Sequence, residues 1–237
     1  MALHPASHDR LSGLALCAGV GGLEIGLHIA EPSYRTVCFV ERDSFAASVL
    51  VARMADQTLC DAPVWDDVKS FDGRPWRGKV DILSAGYPCH PFSSAGLRRG
   101  EEDPRHLWPH VARIAREIEP EWLFCENVLG HIDIGFETVA SDLQRMGYSI
   151  QAGLFSAAEI GAAHWRTRLF LLAHCHRRPE REPTGDRGFN NRDCVQIGDK
   201  HKGQATGVMR GLEVLDGLVA HDQGPEPEAG PHNDIPL

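Results

Sequence analysis

Leu14-Ala15-Leu16-Cys17-Ala18-Gly19-Val20-Gly21-Gly22 is the stretch on which the fold turns. Leu14 to Cys17 is a compact apolar run of strand length, and three glycines crowd the segment that follows. The pattern predicts a strand, a tight turn and a helix, in that order. Glycines at such a turn let backbone approach a ligand closely, and the helix that opens there offers N–H groups with no partner inside the helix. The next apolar run, Thr36-Val37-Cys38-Phe39-Val40, predicts a second buried strand ending in Glu41. Glu41 stands about 20 residues beyond the glycines, where nucleotide-binding sheets place the carboxylate that holds ribose hydroxyls. A dinucleotide fingerprint would need a further glycine at position 24, which is Glu24. A ligand without a pyrophosphate is therefore favoured. A glycine-rich turn beside a solvated glutamate is the plain alternative at this point.

Outward from that stretch the chain keeps alternating. Ser44 to about Met54 reads as helix, and Val80-Asp81-Ile82-Leu83 and Trp122-Leu123-Phe124-Cys125 read as further strands. Between those two strands, Asp103 can cap a helix with Pro104 at its first position. Leu107, Val111, Ile114, Ala115 and Ile118 then share one face of that helix. Strand and helix in alternation predict an α/β fold with a doubly wound, mostly parallel sheet, in which ligands sit beyond the carboxyl ends of the strands. From His174 onward, Gly, Pro and charged residues replace large apolar ones. The expected organisation is one domain over 1–173 and a polar, irregular or disordered tail over 174–237, with one short helix from Met209 to Ala220.

The 237 residues, 42% of them hydrophobic, suffice for one substantial core. No apolar run reaches the length of a membrane span. Met1 to Arg10 is polar and lacks the apolar core of a secretion signal, so a cytoplasmic location is expected. Seven cysteines, an odd number scattered through apolar segments, read as reduced thiols. No CxxC pair occurs, so no structural zinc site is expected, and His174-Cys175-His176 reads as a strand end. The net charge of -9 weighs against strong nucleic-acid binding by this chain alone, since phosphate contacts dominate such affinity. Arg98-Arg99, Arg105 and Arg166/Arg168 are the candidates for a local basic patch.

Three further segments carry chemistry. In Ser84-Ala85-Gly86-Tyr87-Pro88-Cys89-His90-Pro91-Phe92-Ser93 a cysteine lies close to two prolines directly after a strand. Buried structural cysteines are common, but Pro88 and Pro91 favour a rigid loop over a core position. Glu126-Asn127-Val128 ends an apolar strand on the same sheet edge, where a carboxylate can exchange a proton. In His164-Trp165-Arg166-Thr167-Arg168 the two arginines share a face if the segment is extended.

In this order, the Gly-x-Gly-Gly turn, Glu41, the Pro-Cys segment, Glu-Asn-Val and Arg-x-Arg resemble the DNA cytosine-C5 methyltransferase family over about residues 11–173. The ordered set is specific where no single member would be. The resemblance implies a Rossmann-like fold that binds S-adenosyl-L-methionine and acts on double-stranded DNA. It implies that Gly19, Gly21, Gly22 and Leu23 line the cofactor's methionine end, that Glu41 binds the ribose, and that Cys17 and Arg42 belong to the same cofactor site. Asp67 and Val68 would meet the adenine, and Gly86, Pro88 and Leu107 would complete the wall. Cys89 would be the nucleophile that adds to cytosine C6 after the base leaves the stack. Glu126 would share a proton with N3, Arg168 would hold O2, and Arg166 would support the active-site loop.

The chain departs from the family at three positions. Cys17 replaces a frequent phenylalanine that packs against adenine, and His90 and His164 replace glutamines. The family's target-recognition domain and its last two motifs are not found in 174–237. The first chain of a split enzyme, working with a second polypeptide that reads DNA, and a truncated member both fit that extent. A catalytically silent module that binds cofactor or a partner protein is one alternative. An enzyme of the thymidylate-synthase kind, acting on free nucleotides, is another. Retention of Cys89, Glu126 and Arg168 speaks against the first, and the glycine loop with Glu41 against the second.

Overall fold

A computed structural model describes residues 11–88, 107–133 and 135–175. Seven strands form one sheet: β1 (Ser12–Leu16), β2 (Arg35–Val40), β3 (Val64–Trp65), β4 (Ile82–Ala85), β5 (Trp122–Val128), β6 (Tyr148–Ser156) and β7 (Thr167–Cys175). Among the described residues, four α-helices join them: α1 (Gly22–Ala30), α2 (Ser44–Ala55), α3 (Trp108–Ile118) and α4 (Phe136–Arg145). The strand order is β3-β2-β1-β4-β5-β7-β6, with β1 to β5 parallel and β7 antiparallel to both of its neighbours. This is the doubly wound, mostly parallel α/β sheet expected from the sequence.

The apolar runs of β1, β2 and β4 are buried along their whole length or nearly so, as strands covered on both faces must be. One face of the sheet packs on α3 and α4. Leu14, Leu16, Leu83, Leu123 and Leu171 meet Val111, Ile114, Ile118 and Leu143 there. On the other face Ala15 and Phe39 meet Leu50 of α2 and Leu59. At full burial each such side chain contributes about 2 kcal/mol.

Local chemistry sets the helix ends. Asp43 caps α2 by accepting from the Ala46 amide at 2.8 Å. Helix α3 starts later than expected: Leu107 is its N-cap and Pro109 occupies its first turn. Asp103 and Pro104 lie outside the described residues. The helix ends at Glu119, which adopts the left-handed conformation with φ 52°. The strand that opens at Thr167 runs to Cys175, two residues past the expected domain boundary.

Gly21 caps α1 with φ 80°, a conformation that strains any residue with a side chain. A Cβ there would also lie 2.6 Å from Leu59 Cδ1. Gly21→Ala is therefore expected to destabilise the fold by about 2–4 kcal/mol, summing backbone strain and overpacking. The check is a lower urea midpoint at unchanged slope.

Candidate active site

The strand order reverses between β1 and β4, and the two strands part beyond the Leu16–Ala85 pair. Such a switch point opens a crevice at the carboxyl end of the sheet. Cys17 turns the chain there with φ 51°, uncommon for a residue with a side chain. The Gly86 amide still donates to Leu16 O at 3.3 Å, so Gly86 stays beside the start of the glycine loop. A Cβ on Gly86 would lie 3.5 Å from Cys17 O, 3.8 Å from Leu23 Cδ1 and 3.9 Å from Glu126 Oε2. Four of the expected site residues thus converge on one small space, which a glycine leaves open.

Glu41 ends β2 and is tied to the loop. Its Oε2 accepts from the Gly19 amide and its Oε1 from the Asp43 amide, both at 2.7 Å. The carboxylate is thereby fixed while each oxygen keeps a lone pair for a further donor. Asp67 is half-buried, and its Oδ1 accepts from the Lys69 amide at 2.9 Å. Both carboxylates act on Cys17. Burial foremost, then Glu41 and Asp67, push its thiol up to about 12.

The segment that carries Asp67 and Val68 is held by α3. Arg113 donates to Val68 O at 3.0 Å and to Phe71 O at 2.9 Å, and it pairs with Glu117 at 2.8 Å. Glu117 Oε2 in turn accepts from the Gly73 amide at 2.8 Å. Sequence reading missed this clamp. Its one signal, Arg and Glu four apart on a helix, is common on ordinary helix surfaces.

A second clamp fixes the end of β4. The Asn127 amide group donates to Tyr87 O at 3.2 Å, and the Tyr87 hydroxyl meets His131 Nε2 at 3.1 Å. Tyr87, Asn127 and His131 are all buried. Pro88 follows and is exposed. Cys89, His90, Arg98, Arg99 and Arg105 lie outside the described residues.

Glu126 and Arg168 form the pair at the crevice floor. Arg168 Nε lies 2.8 Å from Glu126 Oε1, with both side chains about three-quarters buried. Arg168 also donates to Thr167 O at 2.9 Å. Arg166 does not join them: it precedes β7 and is exposed, so the two arginines do not share a strand. Arg42 is likewise exposed, beside Glu41. Leu107 packs partly buried against the main core. Among the described residues, no group of three or more His, Cys, Asp or Glu side chains is placed to hold a metal ion, and no helix is long and apolar enough to cross a membrane.

The profile of a family described as C-5 cytosine-specific DNA methylase matches residues 11–208. The type II methyltransferase M.NgoMIV of Neisseria gonorrhoeae is 33% identical over 168 residues, covering 69% of this chain and 52% of that protein. M.NlaX of Neisseria lactamica is 32% identical over 205 residues, covering 84% and 58%. The chain thus spans about half the length of these relatives. Among solved structures, the Dnmt2 methyltransferase of S. pombe superposes with a TM-score of 0.60 at 20% identity, covering 76% of this chain and 58% of that one. That likeness concerns the fold.

With its thiol at about 12, Cys17 carries only ~1% thiolate at pH 10 and tenfold less for each unit below. Native-state alkylation followed by peptide mass spectrometry is expected to leave Cys17 unmodified near pH 7.5, with its rate rising about tenfold per pH unit above that.

Proposed function

Because the chain belongs to the C-5 cytosine-specific DNA methylase family, we propose that it transfers a methyl group from S-adenosyl-L-methionine to C5 of cytosine in double-stranded DNA. The observation that carries this reading is the convergence of the glycine loop, Gly86 and Glu126 at the point where β1 and β4 part. A cofactor held along that loop would supply its methyl group beside the carboxylate expected to act on the base.

The donor set suits such a cofactor. Glu41, held by two amides, can accept from a ribose diol, and Asp67, which with Glu41 acts on Cys17, is the candidate with Val68 to meet a base edge. Leu23 and the first turn of α1 offer an apolar wall and outward-facing amides to the amino-acid end. Acidic groups at Glu41 and Asp67 favour a ligand with a positive charge. The bound cofactor supplies an electrophilic methyl group.

The chain's own residues supply the rest. The Cys89 thiolate adds to C6 of an extruded cytosine, and a proton shared between the Glu126 carboxyl group and N3 neutralises the charge that develops on the ring. The C4–C5 enamine left by that addition then takes the methyl group at C5. Loss of the C5 proton to a base expels Cys89 as thiolate and restores the aromatic ring. Arg168 has a twofold part: it fixes Glu126 before the base arrives and offers its remaining N–H groups to O2 afterwards. The net charge of -9 supports a role for a second polypeptide in reading the DNA sequence.

The test uses duplex DNA with 5-fluorocytosine at candidate sites, together with methyl-labelled cofactor. Fluorine at C5 leaves no proton to lose, so the adduct cannot resolve. The full chain is expected to form a denaturant-resistant DNA complex, and Cys89→Ala none. Arg168→Ala is expected to slow adduct formation about 100-fold, the scale for losing one preorganised donor. A stable complex with Cys89→Ala, or label passing to free nucleotide and not to DNA, would overturn the assignment.

A further inference from the structure

The segment that carries Asp67 and Val68 shapes itself but does not place itself. Asp67 O accepts from the Ser70 amide at 3.2 Å, from the Phe71 amide at 3.1 Å and from the Ser70 hydroxyl at 3.1 Å. Asp67 Oδ1 accepts from the Lys69 amide at 2.9 Å, and Oδ2 accepts from no donor among the described residues. These bonds close a turn around Asp67. β3, which delivers the turn, is two residues long and lies at the edge of the sheet, so it gives the turn little anchorage.

The anchor is α3. Arg113 Nη2 donates to Val68 O at 3.0 Å and to Lys69 O at 3.4 Å, while Nη1 donates to Phe71 O at 2.9 Å and to the Glu117 carboxylate at 2.8 Å. One helical turn on, Glu117 Oε2 accepts from the Gly73 amide at 2.8 Å. Arg77 returns the contact, donating to Glu117 O at 2.9 Å and to Arg116 O at 3.0 Å. The helix itself is fixed in the core by Val111, Ile114 and Ile118, all fully buried. A half-exposed ion pair contributes little by its charge alone. The planar fork of the guanidinium contributes position, because its charge-assisted bonds to three carbonyls of one turn are directional. We propose that Arg113, with Glu117, is a positioning residue for cofactor recognition: it holds Asp67 where Oδ2 accepts from the exocyclic amino group of the cofactor's base, and so sets the preference for a 6-amino over a 6-oxo purine. This deepens, and rests on, the reading of Asp67 and Val68 as the pair that meets the base. A 6-oxo purine sets an acceptor against an acceptor and leaves both unpaired. A shift of the turn by about 1 Å is enough to take the amino contact out of hydrogen-bond range.

The experiment titrates the full chain, Arg113→Ala and Arg113→Lys with S-adenosylhomocysteine and with S-inosylhomocysteine, its 6-oxo counterpart, by calorimetry. The wild type is expected to favour the 6-amino ligand at least ~10-fold, the scale of one charge-assisted hydrogen bond. Arg113→Ala is expected to bring that ratio to within ~3-fold, chiefly by weakening the 6-amino ligand. Arg113→Lys keeps the charge and loses the fork, and its ratio is expected to fall between the two. Amide exchange in the ligand-free protein gives a second reading: faster exchange at Ser70 and Phe71 in Arg113→Ala, with β1 and β4 unchanged. A brace that served stability alone would weaken both ligands by one factor and leave the ratio as it was. That result, unchanged affinity for both ligands, or a wild type that binds both equally overturns the proposal while the cofactor reading stands. A wild type that binds neither ligand overturns both. If Arg113→Ala does not fold, Arg113→Lys carries the test, and a wild-type ratio in that variant overturns the proposal.

Discussion

The rest of the site depends on where β1 and β4 stop pairing. Leu16 and Ala85 are the last partners, and beyond them the chain divides its loyalties: Ala18 donates to Val40 O of β2, while Gly86 donates to Leu16 O. The main chain at Cys17 must turn through a left-handed conformation to allow both. That turn lifts Gly19 to the level of Glu41, whose carboxylate then locks it. A shift of one residue in the β1–β4 register would exchange the buried face of Leu14 and Leu16 for the face of Ala15, so the hydrophobic core enforces the geometry of the crevice.

Electrostatics follow from the same arrangement. Parallel strands deliver their carboxyl ends to one edge, and here three of those ends carry acids: Glu41 after β2, Asp67 after β3 and Glu126 on β5. Among the described residues, Glu126 is the one of the three with an arginine against it. The Cys17 thiol registers the field of the other two. An edge of this kind repels phosphate and attracts a cation.

Much of this was legible in the sequence where one physical cause dominates. The buried strands β1, β2 and β5 announce themselves as apolar runs, and α2 as a helical stretch from Ser44. Glu41 follows from strand length plus glycine spacing. Other parts are set by tertiary context. β3 is two residues long and cannot be told from a turn by pattern. Edge strand β6 mixes Gly153 with exposed Gln151 and Leu154, which blurs its alternation. The pairing of Arg168 with Glu126 requires β5 and β7 to be antiparallel neighbours, a fact no spacing rule contains, and the same pairing leaves Arg166 outside the strand. The left-handed turn at Cys17 was equally hidden, because its neighbours Gly19 and Gly21 draw every argument about backbone freedom to themselves.

The central claim is that the β1–β4 crevice, closed by Glu41, binds the cofactor. Calorimetric titration of the purified chain with S-adenosylhomocysteine, alongside Glu41→Ala, tests it most directly. Saturable one-to-one binding, weakened at least ~10-fold by loss of the charged hydrogen-bond acceptor, is the predicted result. No binding by the wild type, or equal affinity in Glu41→Ala, would contradict the account.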